Sequence, residues 1–174
     1  MRIKFIVLIL MGLLSASWIV SGFSEKIDVG PFNANFSVNM KEQANVAINE
    51  PLKNKTFTEY GFSLRGNSTK RSIDVKIKDY FNNTDISESE LMNSIMDSIE
   101  SKSYDATWDK VSVGGIPAIR AKIRSEPGSS YYSIAFSPDR REYQTGNVTV
   151  LVESNFPTDV TDSFLNNLQI LRTR

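Results

Sequence analysis

The stretch Val111-Ser-Val-Gly-Gly-Ile-Pro-Ala-Ile-Arg-Ala-Lys-Ile123 is typical of a β-hairpin. A two-residue turn at Gly114-Gly115 would put the cations of the second strand on the same face as the valines of the first. A shift of one residue moves every side chain to the other face. We therefore expect an odd loop or a bulge at Gly114–Pro117. The inward residues would then be Val111, Val113, Ile119, Ala121 and Ile123.

Further strands are indicated by apolar residues at every second position. Phe32–Met40 alternates without a break, which is typical of a strand buried on one face only. Residues 44–55, which include Pro51, are predicted to form a loop, and residues 79–86 a polar connection. The same alternation predicts strands at Thr56–Leu64, Ile73–Ile77, Tyr132–Phe136 and Val148–Val152.

Two helices are predicted from capping signals and apolar spacing. Ser87-Glu-Ser-Glu90 fits a capping box, and Leu91, Ile95 and Ile99 follow on one face. Pro157 opens the second helix, whose apolar residues would be Val160, Phe164, Leu168 and Leu171. The order β-β-β-α-β-β-β-β-α predicts an α+β fold, in which an inserted helix and a C-terminal helix pack on one face of an antiparallel β-sheet.

The N-terminus has the pattern of a secretory signal peptide. Arg2 and Lys4 precede an apolar run, Phe5–Leu14, and small residues follow up to Gly22. We expect residues 1–22 to be a leader that is cut before Phe23, and residues 23–174 to form a single α+β domain. The alternative is a short uncleaved anchor, although the apolar run is short of the roughly 20 residues that a spanning helix needs.

Composition excludes several kinds of chemistry. The chain has no cysteine and no histidine, which removes disulfides, thiolate nucleophiles and the commonest general base and metal ligand. Its formal net charge is zero, which argues against a nucleic-acid partner. No cofactor or metal motif is present, so the sequence predicts neither.

The second half of the chain resembles the PsbP-like family. The resemblance is carried by Val113-Gly-Gly-Ile-Pro-Ala118 and by the closing Asp159-x-x-x-x-Phe-Leu-x-x-Leu168 pattern, and it covers residues 88–171. It implies a PsbP-like sandwich that serves as a non-enzymatic envelope or lumenal module with varied partners. Fold does not dictate function, so the partner is not implied.

A cationic row and two aromatic residues are candidates for partner contact. We expect Arg120, Lys122 and Arg124 to point outward, beside Lys76 and Lys78 of another strand, with Arg140 and Arg141 in a nearby loop. The row would either dock an acidic partner or anionic surface, or be a solvated sheet face that discourages edge pairing. Trp108 and Tyr131 fall on the outer phase of their strands and could supply contact area.

Five Asn-x-Ser/Thr sequons mark candidate glycosylation sites in an exported protein. The alternative is coincidence in a chain rich in asparagine, serine and threonine. The five asparagines are Asn35, Asn54, Asn67, Asn82 and Asn147.

Other polar groupings have weaker patterns. The stretch with Asp79, Asn82, Asn83, Asp85 and Glu88 offers oxygen ligands to calcium, but its spacing is not that of an EF-hand loop, and a helix-entry turn explains it better. A hydrolase would have to use a carboxylate pair or a Ser–Lys dyad. The two pairs on offer are Asp105 with Asp109 and Asp139 with Glu142.

These observations favour an exported, non-enzymatic module of the cell envelope or extracellular space that acts through protein–protein or surface contacts. Its partner would be an envelope protein or surface, and it would meet a membrane only through an uncleaved leader. The alternative is a protein that binds a small ligand or a glycan in a cleft between sheet and helix.

Overall fold

The computed structural model describes residues 22–99, 106–124, 130–138 and 145–173, apart from the side chains of residues 83–85, 145 and 146. The predicted leader up to residue 21 lies outside the described residues. The described chain forms ten strands and two helices. In chain order these are β1 (Gly22–Val29), β2 (Phe32–Asn39), β3 (Ala44–Lys53), β4 (Phe57–Gly66), β5 (Ser72–Asp85), α1 (Glu88–Ile99), β6 (Ala106–Val113), β7 (Ile116–Arg124), β8 (Ser130–Phe136), β9 (Thr145–Ser154), α2 (Thr158–Asn167) and β10 (Gln169–Arg172).

The middle layer is a seven-stranded antiparallel sheet in the order β3-β4-β5-β9-β8-β7-β6. A three-stranded antiparallel sheet, β1-β2-β10, lies with α2 over one face of it, and α1 covers the other. The predicted α+β class, with antiparallel strands and two helices, is confirmed. The expectation that both helices pack on one face is wrong, because the apolar residues of β7, β8 and β9 point to both sides of the sheet.

The main core lies between the two sheets and is centred on phenylalanine rings. Phe36 of β2 stacks on Phe62 of β4 with ring centroids 5.3 Å apart, and its ring lies 5.2 Å from that of Phe164 in α2. The alternation of Phe32–Met40 is confirmed, since its apolar residues are all buried on this side. Three elements distant in sequence therefore meet at one side chain.

The second core lies under α1, as its sequence pattern predicts. Leu91, Ile95 and Ile99 are buried against residues of β7, β8 and β9. The start of the helix is also as predicted, because the Ser87 hydroxyl accepts a hydrogen bond from the Glu90 amide at 3.3 Å.

The β6–β7 hairpin differs from the prediction. Val113 pairs with Ile116 and Ser112 with Pro117, so Gly114-Gly115 is a regular two-residue turn with no bulge. Both glycines have positive φ, 54° and 85°, as a type I′ turn requires. Val111 and Val113 therefore face the main core, whereas Ile119, Ala121 and Ile123 face α1. The prediction failed because it assumed that only one face of this sheet is apolar.

Three other segments also differ from their predictions. Residues 44–53, predicted as a loop, form the edge strand β3, in which few side chains are buried because no element covers this end of the sheet. The predicted polar connection from residue 79 continues β5 to Asp85. The last helix ends at Asn167, and β10 follows it along β2, so that Leu171 is exposed and Ile170 is buried.

Candidate functional site

A half-open groove of about 510 Å³ lies at one end of the sandwich. Its three walls are the β2–β3 connection, the β4–β5 turn and the start of α2. Met40 and Phe156 are buried at its base. The other lining residues are Asn39, Lys41, Glu42, Ser68, Thr69, Arg71, Pro157, Asp159 and Val160.

Glu42 holds two of these walls together. Its carboxylate accepts hydrogen bonds from the amide and hydroxyl of Ser68, at 3.0 and 2.7 Å, and from those of Thr69, at 3.2 and 2.7 Å. These bonds lower the pKa of the Glu42 carboxyl below its ordinary value, and those from the side chains of Ser68 and Thr69 have the largest effect. The β4–β5 turn is thus fixed to the β2–β3 connection by a charged group.

The third wall is fixed by hydroxyl and amide side chains. The hydroxyls of Ser154 and Thr161 lie 2.8 Å apart, and the Phe156 amide donates to Ser154 Oγ at 3.2 Å. Asn155 Oδ1 accepts from the Ser72 amide at 2.7 Å, which ties the start of α2 to β5. The groove is therefore formed before any ligand arrives, and binding would not have to order its walls.

The rim of the groove holds charges of both signs. Lys41 and Arg71 are cationic, and Asp159 is anionic. Within the described residues, none of these three side chains forms a salt bridge. Each can therefore pair with a complementary group of a ligand without first breaking an internal pair.

Arg120, a predicted docking residue, instead joins β6, β7 and α2. Its guanidinium donates to both carboxylate oxygens of Asp109, at 3.0 and 2.5 Å, and to Asp162 at 2.8 Å. Its side chain is only 17% exposed and lies 5.9 Å from the Tyr132 ring. Arg120 is thus a structural residue here, and Asp109 is committed to it.

Replacing Arg120 with methionine is expected to lower the free energy of unfolding by about 1–2 kcal/mol. The change keeps the aliphatic stem but removes three charge-assisted hydrogen bonds, and the loss is moderate because both carboxylates are about half exposed and can be rehydrated. The measurement is urea unfolding at neutral pH. Arg124→Met, at an exposed position of the same strand, should change stability by less than about 0.5 kcal/mol. Equal effects of the two changes would contradict this role.

The structure separates the other predicted contact residues. Lys122 and Arg124 are exposed on the face that carries Arg120. Lys76 and Lys78, which were expected beside this row, lie on the opposite face of the sheet. Lys76 pairs with Leu151, which pairs with Ala135, and both of these residues face the second core. Arg140 and Arg141 lie outside the described residues.

Trp108 and Tyr131 lie on the α1 side of the sheet, on β6 and β8 with β7 between them. Trp108 is partly exposed, whereas Tyr131 packs against the second core and donates its hydroxyl to Glu153. Glu153 also accepts from Lys76 at 2.6 Å. The pair of aromatics therefore does not share a surface with the cationic row.

Tyr131 is expected to make the protein less stable at alkaline pH. Burial, and then its hydrogen bond to the Glu153 carboxylate, raise the pKa of the Tyr131 phenol far above its ordinary value. Above a pH of about 10 the unfolded phenol ionises and the folded one does not, so the free energy of unfolding falls as pH rises. Urea unfolding between neutral pH and about pH 11 should show this decrease in the free energy of unfolding. The decrease should be smaller in Tyr131→Phe, which lacks the phenol group. An unchanged slope in the variant would contradict the assignment.

The described residues of the calcium stretch include two carboxylates that are bound to cationic side chains. Asp79 pairs with Arg172 at 2.6 Å and Glu88 with Lys110 at 2.7 Å. In the part of the chain that the structure describes, no group of acidic side chains is arranged to hold a metal ion. The side chains of Asn83 and Asp85, and all of Asp105, Asp139 and Glu142, lie outside the described part.

The sequons differ in accessibility. Asn35, Asn54, Asn67 and Asn82 are exposed, whereas Asn147 is half-buried and its amide oxygen is buried with no hydrogen-bond partner among the described residues. Asn35 lies on the outer face of the smaller sheet, as expected.

Sequence reasoning missed every charged residue of the groove. Lys41, Glu42 and Arg71 lie between the predicted elements, and Asp159 lies at the start of a predicted helix. No local pattern identifies them, because the groove forms only when segments about 30 and 90 residues apart are brought together by the sheet.

The fold and this groove define an antiparallel α+β protein with a preformed candidate binding site. Comparisons with protein-family models, with curated proteins and with solved structures find no match to this chain. Across residues 22–99, 106–124, 130–138 and 145–173, no helix has the length and apolar character needed to cross a membrane.

Proposed function

We propose that this protein is an exported, non-enzymatic binding module of the cell envelope or extracellular space, and that its groove holds an extended segment of a partner protein. The observation that carries the proposal is the half-open groove of about 510 Å³, with fixed walls and with rim charges that form no salt bridge to the described residues. A half-open groove accepts part of a longer chain, whereas an enclosed pocket would not.

The chemistry of the lining indicates the kind of segment. Met40, Phe156 and Val160 offer an apolar base for one or two aliphatic side chains. Lys41 and Arg71 would pair with carboxylates of the segment, and Asp159 with a cation. Each charge-assisted hydrogen bond contributes about 1.5–3 kcal/mol when it is sheltered from water. The expected partner segment is therefore amphipathic and carries charges of both signs.

Export is supported by the N-terminal pattern, in which Arg2 and Lys4 precede the apolar run Phe5–Leu14. Cleavage before Phe23 would leave a chain that starts within β1. An uncleaved leader would instead tether the domain to the outer face of the cytoplasmic membrane. The PsbP-like resemblance belongs to the same proposal, and it is supported by the Gly114-Gly115-Ile-Pro117 turn and the closing α2 helix.

The non-enzymatic part of the proposal is supported by the composition of the chain and by the hydrogen bonds of two neighbouring carboxylates. Asp74 and Glu153 are cross-strand neighbours, but Asp74 accepts from the hydroxyls of Ser63 and Ser72, at 2.6 and 2.8 Å. Glu153 is occupied by Tyr131 and Lys76. Both carboxylates thus have structural partners, and the chain has no histidine or cysteine to serve as a base or nucleophile.

Site-specific photo-cross-linking in the native host tests the proposal. A photoreactive residue at Val160, in the groove, should capture one defined partner, whereas the same residue at Asn93, on the exposed side of α1, should not. Lys41→Glu combined with Arg71→Glu should reduce capture about tenfold or more.

The matched control for that experiment reverses the charges of Lys122 and Arg124 instead. If capture is lost in this control and kept in the groove variant, the cationic row is the contact surface and the groove proposal is wrong. Both double variants change exposed side chains, so circular dichroism should show that each remains folded.

A small ligand or glycan is the second candidate, because a volume of about 510 Å³ is within the range of small-molecule sites. Thermal unfolding of the mature domain with free amino acids and with neutral disaccharides distinguishes the two. A saturable rise in Tm that the Lys41→Glu/Arg71→Glu variant loses would favour this candidate over a partner protein.

A further inference from the structure

Among the sequons, Asn54 has a side chain that is fixed for modification. It lies in the turn between β3 and β4, where Asn54 Oδ1 accepts hydrogen bonds from the amides of Thr56 and Phe57, both at 2.8 Å. Oδ1 also accepts from the Thr56 hydroxyl at 3.1 Å. With its oxygen turned into the turn, the exposed Asn54 presents its amide nitrogen outward.

The hydroxyl of this turn is the chemical requirement of the sequon. Thr56 is the third residue of Asn54-Lys55-Thr56, and its Oγ1 is already bonded to the acceptor asparagine. The sequons at Asn35, Asn67 and Asn147 lack this arrangement in different ways. The amide oxygen of Asn67 accepts from Asn45 at 2.6 Å, and that of Asn147 is buried. Asn35 and Asn82 lie within strands β2 and β5.

An exposed apolar ring lies beside this turn. Phe81 is 50% exposed. Leu52, which is 66% exposed, lies on the opposite face of the sheet, in line with Glu59 and Lys78. Phe81 is directly beside the sequon, because its amide donates to the carbonyl of Thr56 at 3.0 Å. The Lys53 ammonium lies 5.7 Å from the Phe81 ring. This end of edge strand β3 is therefore a place where chains could associate if nothing covered it.

We propose that Asn54 carries an N-linked glycan in the native protein and that this glycan covers Phe81. The inference rests on the export part of the proposed function. In the transfer, Asn54 Nδ2 forms a bond to C1 of the first sugar of a lipid-linked phosphate glycan, and the bond from C1 to the phosphate oxygen breaks. The electron pair leaves with the lipid phosphate, and one amide proton passes to a base of the transferase.

Mass mapping of the protein purified from its native host tests the modification. Chymotrypsin, which cuts after Leu52 and Phe57, should release Lys53–Phe57 with added glycan mass. Asn54→Gln and Thr56→Val should each abolish that mass, whereas Thr56→Ser, which keeps the hydroxyl, should retain it. Asn147→Gln should leave the total mass of the glycans unchanged.

The outcomes separate this inference from the proposed function. An exported protein with an unmodified Lys53–Phe57 peptide would overturn the glycan and leave export standing. A full-length protein in the cytoplasm would overturn both.

The covering role has its own measurement. Asn54→Gln and Thr56→Val should both bind more of an apolar dye than the glycosylated protein, and adding Phe81→Ser should reverse the increase. Equal dye binding with and without the glycan would overturn the covering role.

Discussion

Replacing Phe36 with alanine is expected to lower the free energy of unfolding by about 3–5 kcal/mol. The Phe36 ring is buried where β2, β4 and α2 meet, stacked on Phe62 and tilted against Phe164. The three elements are held by sheet and helix hydrogen bonds, so they cannot close over the missing ring, and a cavity adds to the loss of apolar burial. Urea unfolding followed by circular dichroism measures the change.

The matched control is Phe81→Ala, which removes an identical ring from a half-exposed position. Its effect should be within about 1 kcal/mol, because little apolar area leaves water when Phe81 folds. Similar losses for the two variants would show that the two sheets are not joined through Phe36.

Replacing Gly114 with alanine is expected to cost at least about 2 kcal/mol. Gly114 has a φ of +54°, which L-residues other than glycine adopt only with strain. A Cβ atom there would lie 2.4 Å from the carbonyl oxygen of Leu168, and this backbone cannot move away freely because β10 follows it. The Gly114 amide also donates to Leu165 at 3.0 Å, so the turn anchors the end of α2.

Asparagine variants separate the backbone conformation from the contact. Gly115 has a φ of +85°, and a Cβ there would meet nothing within 4 Å. Gly115→Asn should therefore cost less than about 1 kcal/mol, since asparagine tolerates the left-handed region. Gly114→Asn should remain strongly destabilising because of Leu168. The measurement is thermal unfolding of the two variants. Equal Tm values would contradict the contact between a side chain at position 114 and the Leu168 carbonyl.

Much of the architecture could be predicted from local pattern. Two patterns each predict which face of an element is buried, and the structure confirms both. They are the alternation of Phe32–Met40 and the spacing of Leu91, Ile95 and Ile99. These predictions hold because each of these elements buries one face only. Which residues lie on that face follows from the local sequence, whatever surface covers it.

The same reasoning fails where an element is covered on both sides. On β7 every second residue packs under α1, and the residues between them, such as Ala118 and the half-buried Arg120, face the other side of the sheet. Apolar residues therefore occur on both faces of this strand. A one-faced interpretation then forces a bulge that the chain does not have. Edge strand β3 fails for the opposite reason, because an almost uncovered strand has no apolar alternation to detect.

By itself, the sequence determined the α+β class, the faces of the simplest strands and helices, and the absence of imidazole and thiol chemistry. It did so because periodicity and composition are local properties of the chain. Only the tertiary structure decided that α1 and α2 lie on opposite faces, that Arg120 is bound to Asp109 and Asp162, and that Lys41, Arg71 and Asp159 share one groove. Each of these depends on which segments become neighbours, and that is fixed by the pairing of strands far apart in the chain.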